Sequence, residues 1–432
     1  MQPVAEIIRA AQSESIMEDE FKMARKSDSS PSSLLLTTII VMTVIALSQP
    51  LWALPPFPED EADGIEVQVG KTVEITSSYR YCWYPTVHRF TSAEVMVTMR
   101  MSPDEANPEG DFSAYCISKD KGLTWSPRYT MGAGANVDGA YTESPRPDGT
   151  IWQLYGWVEP SLPEAAEHLH LTLTKFSRGG MEFQQWRDVP LQMSQPVDAG
   201  RTELFDRRVQ DGSLARQPSV VPWGPILEAR DGALLAPVYY TVERDKRFYR
   251  LALIRSSDGG KSWSEYSTVA AVELGEKPWP GMGEEGPCEA GVVRLADKRL
   301  YAIFRTGGNG FIGQAWSSDD GKTWTKPTST PYKGVALRVR RLSNGVLACT
   351  TGRPGPVVVM FSFDGSAAKW SHITPIFNGK STHYTDFIEV EPGKLLVVYD
   401  SVPYGWHEIP YSDRESKNVI YGTFVEVRKN RR

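Results

Sequence analysis

Three arginines, one glutamate and one tyrosine lie beside strand-like segments of this 432-residue chain, and their types suit acid–base and anion-binding chemistry. They are Arg89, Glu289, Arg305, Arg353 and Tyr384. Guanidinium groups stay charged and bind carboxylates bidentately, so arginines that converge on one point would select an anionic ligand. Because the five residues span almost 300 positions, the fold must bring distant segments of the chain together if they are to form one site.

A repeated turn pattern gives the first information about such a fold. The pattern Ser-x-Asp-x-Gly-x-Ser/Thr-Trp occurs at 118–125, 256–263 and 317–324, with looser copies at 177–186 and 362–370. Its Ser and Asp side chains can accept hydrogen bonds from nearby backbone N–H groups, its Gly permits a positive φ, and its Trp forms a small apolar plug. The pattern therefore predicts a rigid hairpin turn rather than a repeated reactive carboxylate.

The segments between these turns read as short strands. Apolar residues alternate with period two at 65–69, 72–75 and 93–99, and Asp-Gly or Asn-Gly pairs precede other apolar runs. The repeat spacing of roughly 45–75 residues is typical of one four-stranded blade of a β-propeller. The sequence contains six such repeats, so we predict an all-β, six-bladed β-propeller over residues 65–432. The strands near residues 65–76 are expected to complete its last blade.

The first 64 residues differ in composition from the rest. Residues 1–53 form a leader with an apolar run at 34–47, preceded by Arg25 and Lys26 and followed by small residues, which predicts a secretory signal. Residues 54–64 are a proline-rich, acidic linker. We expect an exported protein, secreted or periplasmic; the alternative is an uncleaved membrane anchor, although the run is shorter than the ~20 residues that a spanning helix needs.

Composition narrows the classes of partner. The net charge of −6 and the absence of a long internal basic run argue against nucleic acid. Thirteen Trp and eighteen Tyr suit a sugar-binding cleft, because aromatic faces cover the apolar faces of sugars. The four cysteines lack Cys-x-x-Cys spacing, which argues against a structural zinc site. Whether they form disulfides or stay as buried free thiols is left open by the sequence. No metal and no cofactor are expected.

The repeated turn is similar to the Asp-box of the sialidase (neuraminidase) family, and this resemblance covers essentially the whole chain after the leader. The segments at 289–305 and 384–400 also resemble two blades of that family. The resemblance implies a six-bladed propeller and assigns six residues: Arg89, Arg305 and Arg353 as a clamp for the substrate carboxylate, Tyr384 as nucleophile, Glu289 as its base, and Asp104 as general acid/base. Arg338, Arg340 and Arg341 are alternatives to Arg353, and Glu105, Glu109 and Asp111 are alternatives to Asp104.

These roles agree with physical chemistry. A carboxylate nucleophile would be repelled by a carboxylate on the substrate, whereas a phenol that loses its proton to Glu289 would not. We therefore expect an exo-glycosidase that hydrolyses terminal sialic acid or a related 2-keto sugar acid with retention of configuration. Two alternatives stay open: a propeller hydrolase for another acidic sugar such as a uronic acid, and a non-catalytic carbohydrate-binding propeller. The expected partner is an acidic sugar or glycoconjugate, and a membrane only if the leader is an uncleaved anchor.

Overall fold

A computed structural model describes residues 65–102, 112–131, 139–158, 169–177, 183–197, 220–242, 244–308, 310–405, 407, 409–413 and 415–429, all within one compact unit. The predicted leader, the predicted linker and Asp104 with its three alternatives lie outside the described residues. None of the helical structure in the described part is long and apolar enough to cross a membrane.

The described residues form strands and one 3₁₀ turn, Tyr411–Asp413, which agrees with the all-β prediction. The strands are β1 Ile65–Ser78, β2 Trp83–Arg89, β3 Val95–Arg100, β4 Ser113–Ser118, β5 Tyr129–Thr130, β6 Ala140–Tyr141, β7 Ile151–Val158, β8 Leu169–Phe176, β9 Phe183–Gln192, β10 Val220–Pro222, β11 Gly224–Pro225, β12 Leu227–Glu228, β13 Leu234–Val242, β14 Asp245–Ser256, β15 Trp263–Ala270, β16 Cys288–Arg294, β17 Leu300–Arg305, β18 Gly313–Ser317, β19 Thr328–Ser329, β20 Val335–Arg341, β21 Leu347–Gly352, β22 Val357–Ser362, β23 Ser371–Phe377, β24 Asp386–Glu391, β25 Lys394–Ser401 and β26 Asn418–Lys429.

Most of these strands pair with their sequence neighbours. Four sheets have four strands each, in the orders β2-β3-β4-β5, β16-β17-β18-β19, β20-β21-β22-β23 and β1-β26-β25-β24. A fifth sheet has ten strands, nine of them in its main path, in which the antiparallel run β6 to β9 is joined to β15, β14, β13 and β10 by a parallel pairing of β9 with β15. Most neighbouring strands in these sheets are joined by short hairpins, as the Asp-Gly and Asn-Gly turns predict.

The two ends of the described chain share one sheet. Strand β1 pairs antiparallel with β26, from Ile65 opposite Lys429 to Ser78 opposite Asn418. The prediction that strands near residues 65–76 complete the last sheet is therefore confirmed. This pairing joins the first described strand to the last described one, so it depends on contacts of very long sequence separation, which are slow to form during folding.

The sheets bury apolar faces against each other. The first strands of neighbouring sheets pack side by side, as β16 does with β20 and β2 with β24. Their buried valine, leucine and isoleucine side chains form the core clusters between sheets. All four cysteines are buried and free, so free thiols, not disulfides, are found.

The repeated Ser/Asp/Gly/Trp pattern forms the turn that its residues predict. In the third copy, the Ser317 hydroxyl donates to Asp319 Oδ1 over 2.9 Å and accepts from the N–H of Gly321 over 2.8 Å, while Asp319 also accepts from the backbone and hydroxyl of Thr323. Gly321 has a φ of +86°, and the Trp324 indole donates to its carbonyl. The copies at 118–125 and 256–263 repeat the Ser-to-Asp and Gly-to-Ser bonds.

These turns all lie at one end of their sheets. Ser317 stands opposite Leu300, the first residue of β17, whereas Arg305, the last residue of that strand, stands opposite Cys288 at the beginning of β16. Ser118 likewise pairs with Val95 at the start of β3. The turns thus lie at the end of the sheet opposite to Arg305 and Glu289.

Candidate active site

A recurrent backbone irregularity shapes one end of three first strands. Tyr84, Glu289 and Ala336 each follow the first residue of their strand, and each has a left-handed φ between 45° and 53°. At each position the strand register shifts, as in a β-bulge. A left-handed conformation is uncommon for residues with a Cβ, and such strain clusters at functional sites. The bulges re-aim side chains at the strand ends, and Glu289 is one of these side chains.

Glu289 connects the bulges to the tyrosine of the last sheet. The Tyr384 hydroxyl donates a hydrogen bond to Glu289 Oε1 over 2.5 Å, and the other carboxylate oxygen accepts from the N–H of Ala336 over 2.9 Å. Glu289 is 4% exposed, while Tyr384 is partly exposed. The carboxylate is thus fixed in a buried position, and the phenol of Tyr384 is held against it.

Aromatic rings surround Tyr384. The ring of Tyr84 lies with its centroid 4.6 Å from that of Tyr384, and Trp223 meets Tyr384 edge to face at 5.5 Å. Trp223 is itself buried. These contacts hold the Tyr384 ring in one orientation, which is what a group that must reach a reacting carbon requires.

Arg305 is bound by two carboxylates. Its Nη1 lies 2.9 Å from Glu289 Oε1 and its Nη2 lies 2.6 Å from Glu285 Oε1. Burial, the largest single influence, would lower the pKa of the guanidinium, but Glu289 together with the other acidic groups nearby outweighs burial and raises that pKa. For Glu285, burial dominates and raises the pKa of the carboxyl, although Arg305 acts in the opposite direction. Arg305 is therefore a fixed cation between two acids.

The same surroundings keep Tyr384 protonated. Burial, followed by the charge of Glu289, raises the pKa of Tyr384 well above its usual value, and Arg305 and Arg353 act against that shift. Arg353 follows β21, and its Nη2 donates to the carbonyl of Thr382 over 2.8 Å. The structure therefore brings together Glu289, Arg305, Arg353 and Tyr384 of the residues singled out from the sequence.

Arg89 lies elsewhere. It is the last residue of β2, opposite Val95, whereas Tyr84 at the other end of β2 packs on Tyr384. At about 3.3 Å per residue, five residues separate the two ends by roughly 17 Å. Arg89 has Glu389, close to the hairpin end of β24, as its principal charged neighbour of opposite sign. The expected convergence of Arg89 with Arg305 and Arg353 is not found, because a strand carries its two ends to opposite edges of the sheet.

A second buried polar cluster occupies neighbouring first strands. Arg340 Nη1 lies 2.6 Å from Asp386 Oδ1, and Asp386 also accepts from the hydroxyl of Tyr141 and the N–H of Val87. Burial alone would raise the pKa of Asp386, but Arg340 and Arg338 outweigh it and lower the pKa. This cluster joins the strands on which the site is built, so it serves to position them.

Arg338 links the two clusters. Its guanidinium stacks over Trp223 at 4.5 Å and over Tyr141 at 4.9 Å, and the residue is 4% exposed. Of the sequence alternatives to Arg353, Arg338 and Arg340 are thus engaged in buried aromatic and ionic contacts. Of these arginines, Arg353 is the one whose charge, with that of Arg305, lowers the pKa of Tyr384.

Three residues beside Tyr384 were missed by the sequence reasoning: Tyr84, Trp223 and Glu285. Glu285 had a signal, because it belongs to an acidic pair four positions before Glu289 in a Gly-rich segment. Tyr84 and Trp223 had none, since aromatic residues are common throughout this sequence. Within the part of the chain that the structure describes, no group of three or more His, Cys, Asp or Glu side chains is arranged to hold a metal ion.

Solved structures share this fold at low sequence identity. A protein of unknown function from Dyadobacter fermentans matches with a TM-score of 0.62 and 20% identity over 84% of this chain and 99% of its own. The Hadza microbial sialidase Hz136 matches with a TM-score of 0.55 and 16% identity, covering 80% of this chain and 67% of its own. A mutant of the α-L-arabinofuranosidase Arb93a from Fusarium graminearum, in complex with an iminosugar inhibitor, matches with a TM-score of 0.52 and 14% identity over 83% and 98% of the two chains.

At the level of sequence, no curated protein matches this chain. The family model described as a BNR repeat-like domain matches residues 160–397. Its match includes two of the repeated turns, at 256–263 and 317–324, together with Glu289, Arg305, Arg353 and Tyr384. Because the match spans more than half of the 432 residues, the chain belongs to the BNR repeat-like domain family.

Proposed function

We propose that this protein is a retaining exo-glycosidase of the sialidase type, in which Tyr384 is the nucleophile and Glu289 is its base. The observation that carries the proposal is the 2.5 Å hydrogen bond from the Tyr384 hydroxyl to Glu289 Oε1. Membership of the BNR repeat-like family and the fold shared with a sialidase and an arabinofuranosidase support a glycosidase-like protein.

In the first step, the Tyr384 hydroxyl gives its proton to Glu289, and its oxygen forms a bond to the anomeric carbon. The bond from that carbon to the aglycone oxygen breaks, and the departing oxygen receives a proton from a general acid. Arg305 and Arg353 stabilise the negative charge that develops on the phenol oxygen. Asp104 remains the predicted general acid/base.

In the second step, water attacks the anomeric carbon of the tyrosyl-glycosyl intermediate. The general base takes one proton from the water, the bond to the Tyr384 oxygen breaks, and that oxygen recovers its proton from Glu289. Two displacements at one carbon restore the starting configuration. The buried anchoring of Glu289 on the N–H of Ala336 keeps the acceptor in place for both proton transfers.

The proposal includes a six-bladed β-propeller as its scaffold. Four sheets of four strands would be four blades, and the ten-stranded sheet would supply two more, β6 to β9 and β10 to β15, divided at the parallel pairing of β9 with β15. Only two residue pairs record that parallel contact, which is little for a continuous sheet. The first strands would then surround a central axis and present their ends on one face.

The expected substrate, terminal sialic acid or a related 2-keto sugar acid, depends on arginines that bind the carboxylate. Arg305 and Arg353 remain candidates for that role, with Arg305 already paired to Glu285 and Glu289. A uronic acid would need the same cations, and a non-catalytic module would need none of the proton-transfer geometry around Tyr384. The hydrogen-bonded Tyr384–Glu289 pair favours the enzyme over the module.

The test is a panel of aryl glycosides of sialic, deaminated sialic, uronic and neutral sugars, followed by proton NMR of the first product formed. We expect turnover of at least one glycoside, with retention of configuration. A fluorinated analogue of the best substrate should label Tyr384, detected by peptide mass spectrometry. Labelling of Glu289 instead would make that carboxylate the nucleophile, and inversion would exclude the two-step mechanism.

A further inference from the structure

Carboxylates of the protein already occupy the arginine beside Tyr384 that would have to bind an anionic ligand. Glu289 and Glu285 both bind Arg305, at 2.9 Å and 2.6 Å, and Glu284 adds a third nearby carboxylate that raises the pKa of Glu285. Glu284 is fixed by an N–H···O bond from Gly308 over 3.1 Å. A ligand carboxylate that approached Arg305 would therefore meet two or three negative groups within a few ångströms.

The cations recorded beside Tyr384 do not balance these carboxylates. Arg305 shares its charge between two acids, and Arg353 gives one of its donors to the carbonyl of Thr382. Strand β2 contributes aromatic residues, Trp83 and Tyr84, to this end of the fold, while its arginine, Arg89, lies at the other end. The predicted three-arginine clamp is thus incomplete in the described residues.

Asp400, a carboxylate of the last sheet, is held by neutral hydrogen-bond donors in the described residues. Asp400 is fully buried, and its oxygens accept from the N–H groups of Tyr84 and Thr382 and from the hydroxyls of Ser381 and Thr382. Its polar neighbours in the described residues are thus neutral donors. The backbone of Tyr84 is fixed by this acid, and Tyr84 in turn supports the ring of Tyr384.

We infer that Glu285 is a specificity-determining residue that occupies Arg305, and that the site consequently takes a neutral glycoside in preference to one with a carboxylate beside the anomeric carbon. The inference rests on the proposed function only in placing the sugar at Tyr384. A neutral sugar avoids repulsion by Glu285 and Glu289 and can use the faces of Tyr84 and Trp223, because aromatic rings cover apolar sugar faces.

The experiment measures binding and turnover separately. Titration calorimetry on the full chain compares the methyl glycoside of sialic acid with its carboxamide, which has the same shape without the charge, and with methyl glycosides of neutral pentofuranoses and hexopyranoses. We expect the neutral ligands to bind about ten-fold more tightly than the acid, since the two carboxylates already bound to Arg305 oppose a third at close range. Tighter binding of the acid, or no binding by either class, overturns the inference.

The variant Glu285→Gln tests the residue itself. It removes one negative charge and leaves Arg305 with Glu289 as its remaining carboxylate partner, so the preference between acid and carboxamide should shift about five-fold or more towards the acid. The control Glu276→Gln changes an exposed glutamate nine positions earlier in the same loop and should leave the preference unchanged. A merely structural role for Glu285 would weaken both ligands equally, and an unchanged ratio overturns the inference.

These outcomes are distinguishable from failure of the proposed function. If Tyr384→Phe leaves turnover of the best aryl glycoside unchanged, the nucleophile assignment fails, while the binding preference of the wild-type protein and of Glu285→Gln still decides the specificity. If the wild-type protein hydrolyses the sialoside faster than every neutral glycoside and Tyr384→Phe abolishes that turnover, the proposed function stands and the specificity inference falls.

Discussion

Tyr384 and Glu289 are 95 positions apart in the chain, yet the hydroxyl of the first lies 2.5 Å from a carboxylate oxygen of the second. Tyr384 lies two residues before β24, and Glu289 is the second residue of β16, which belongs to a different sheet. The side-by-side packing of first strands and the bulge at Glu289 bring them together. This pair is the centre of the candidate site, and the first prediction concerns it directly.

Replacement of Tyr384 by phenylalanine should lower kcat/KM by about 10³-fold or more, because the variant keeps the ring packing but lacks the attacking oxygen. The free energy of unfolding should change by no more than about 1 kcal/mol, the usual size of one hydrogen bond. Steady-state kinetics with the best aryl glycoside and thermal unfolding check the two statements. The control Tyr79→Phe alters an exposed tyrosine and should retain full activity.

Replacement of Glu289 by glutamine should lower kcat by about 10²–10⁴-fold, the range expected when a general base is lost. The variant also weakens the ion pair with Arg305 and can no longer take the Tyr384 proton. Single-turnover kinetics should show slow formation of the glycosyl intermediate. Normal formation of the intermediate in this variant would contradict the role of Glu289 as base.

Replacement of Arg305 by methionine should destabilise the protein by about 3–5 kcal/mol, because it leaves Glu285 and Glu289 as uncompensated carboxylates in a buried place. The double variant with Glu285→Gln should recover part of the loss. Chemical denaturation provides the measurement. Arg299→Met removes a partner from the exposed pair with Asp297 and should change stability by less than about 1 kcal/mol.

The turn carboxylates predict how stability depends on pH. Hydrogen bonds from the Thr323 hydroxyl and backbone, partly opposed by burial, lower the pKa of Asp319 to about 2. Its contribution is therefore fully present above the unfolded-state pKa of 3.8 and is lost as the pH falls towards 2. Asp319→Asn should reduce stability at pH 7 by about 1 kcal/mol, because water screens this exposed carboxylate, and should flatten the loss between pH 4 and 2. Asp188→Asn, at an exposed position on β9, should leave both unchanged.

The buried His88 should make stability depend on pH in a second range. Burial lowers the pKa of its imidazole to about 4, with Asp386 acting against the shift and Arg340 and Arg338 adding to it. Between pH 6.5 and about 4 the unfolded chain binds the extra proton and the folded chain does not, so stability should fall as the pH is lowered through this range. His88→Gln should reduce that slope by the amount that corresponds to about one proton taken up on unfolding. Denaturant unfolding at several pH values measures it, and the exposed His407→Gln should keep the wild-type slope.

The sequence by itself determined the features that depend on local chemistry. Period-two alternation and Asp-Gly turns identified an all-β fold, and the hydrogen-bonding capacity of Ser317, Asp319 and Thr323 identified the repeated turn, because each of these signals acts within a few residues. It also selected Glu289, Arg305 and Tyr384 by their places next to strands. The pairing of β1 with β26 was predicted because a ring of repeated units must close on itself.

Tertiary structure alone decided which of these residues meet. Arg89 is as close to a strand in sequence as Arg305 is, but strand direction sends it to the opposite edge, and that direction depends on how the sheets pack. The pairing of Arg305 with Glu285, and with it the inferred preference for a neutral sugar, depends on side chains from a loop and two strands meeting in space. The type of each residue determines which hydrogen bonds and ion pairs it can form, whereas long-range packing decides which residues come close enough to form them.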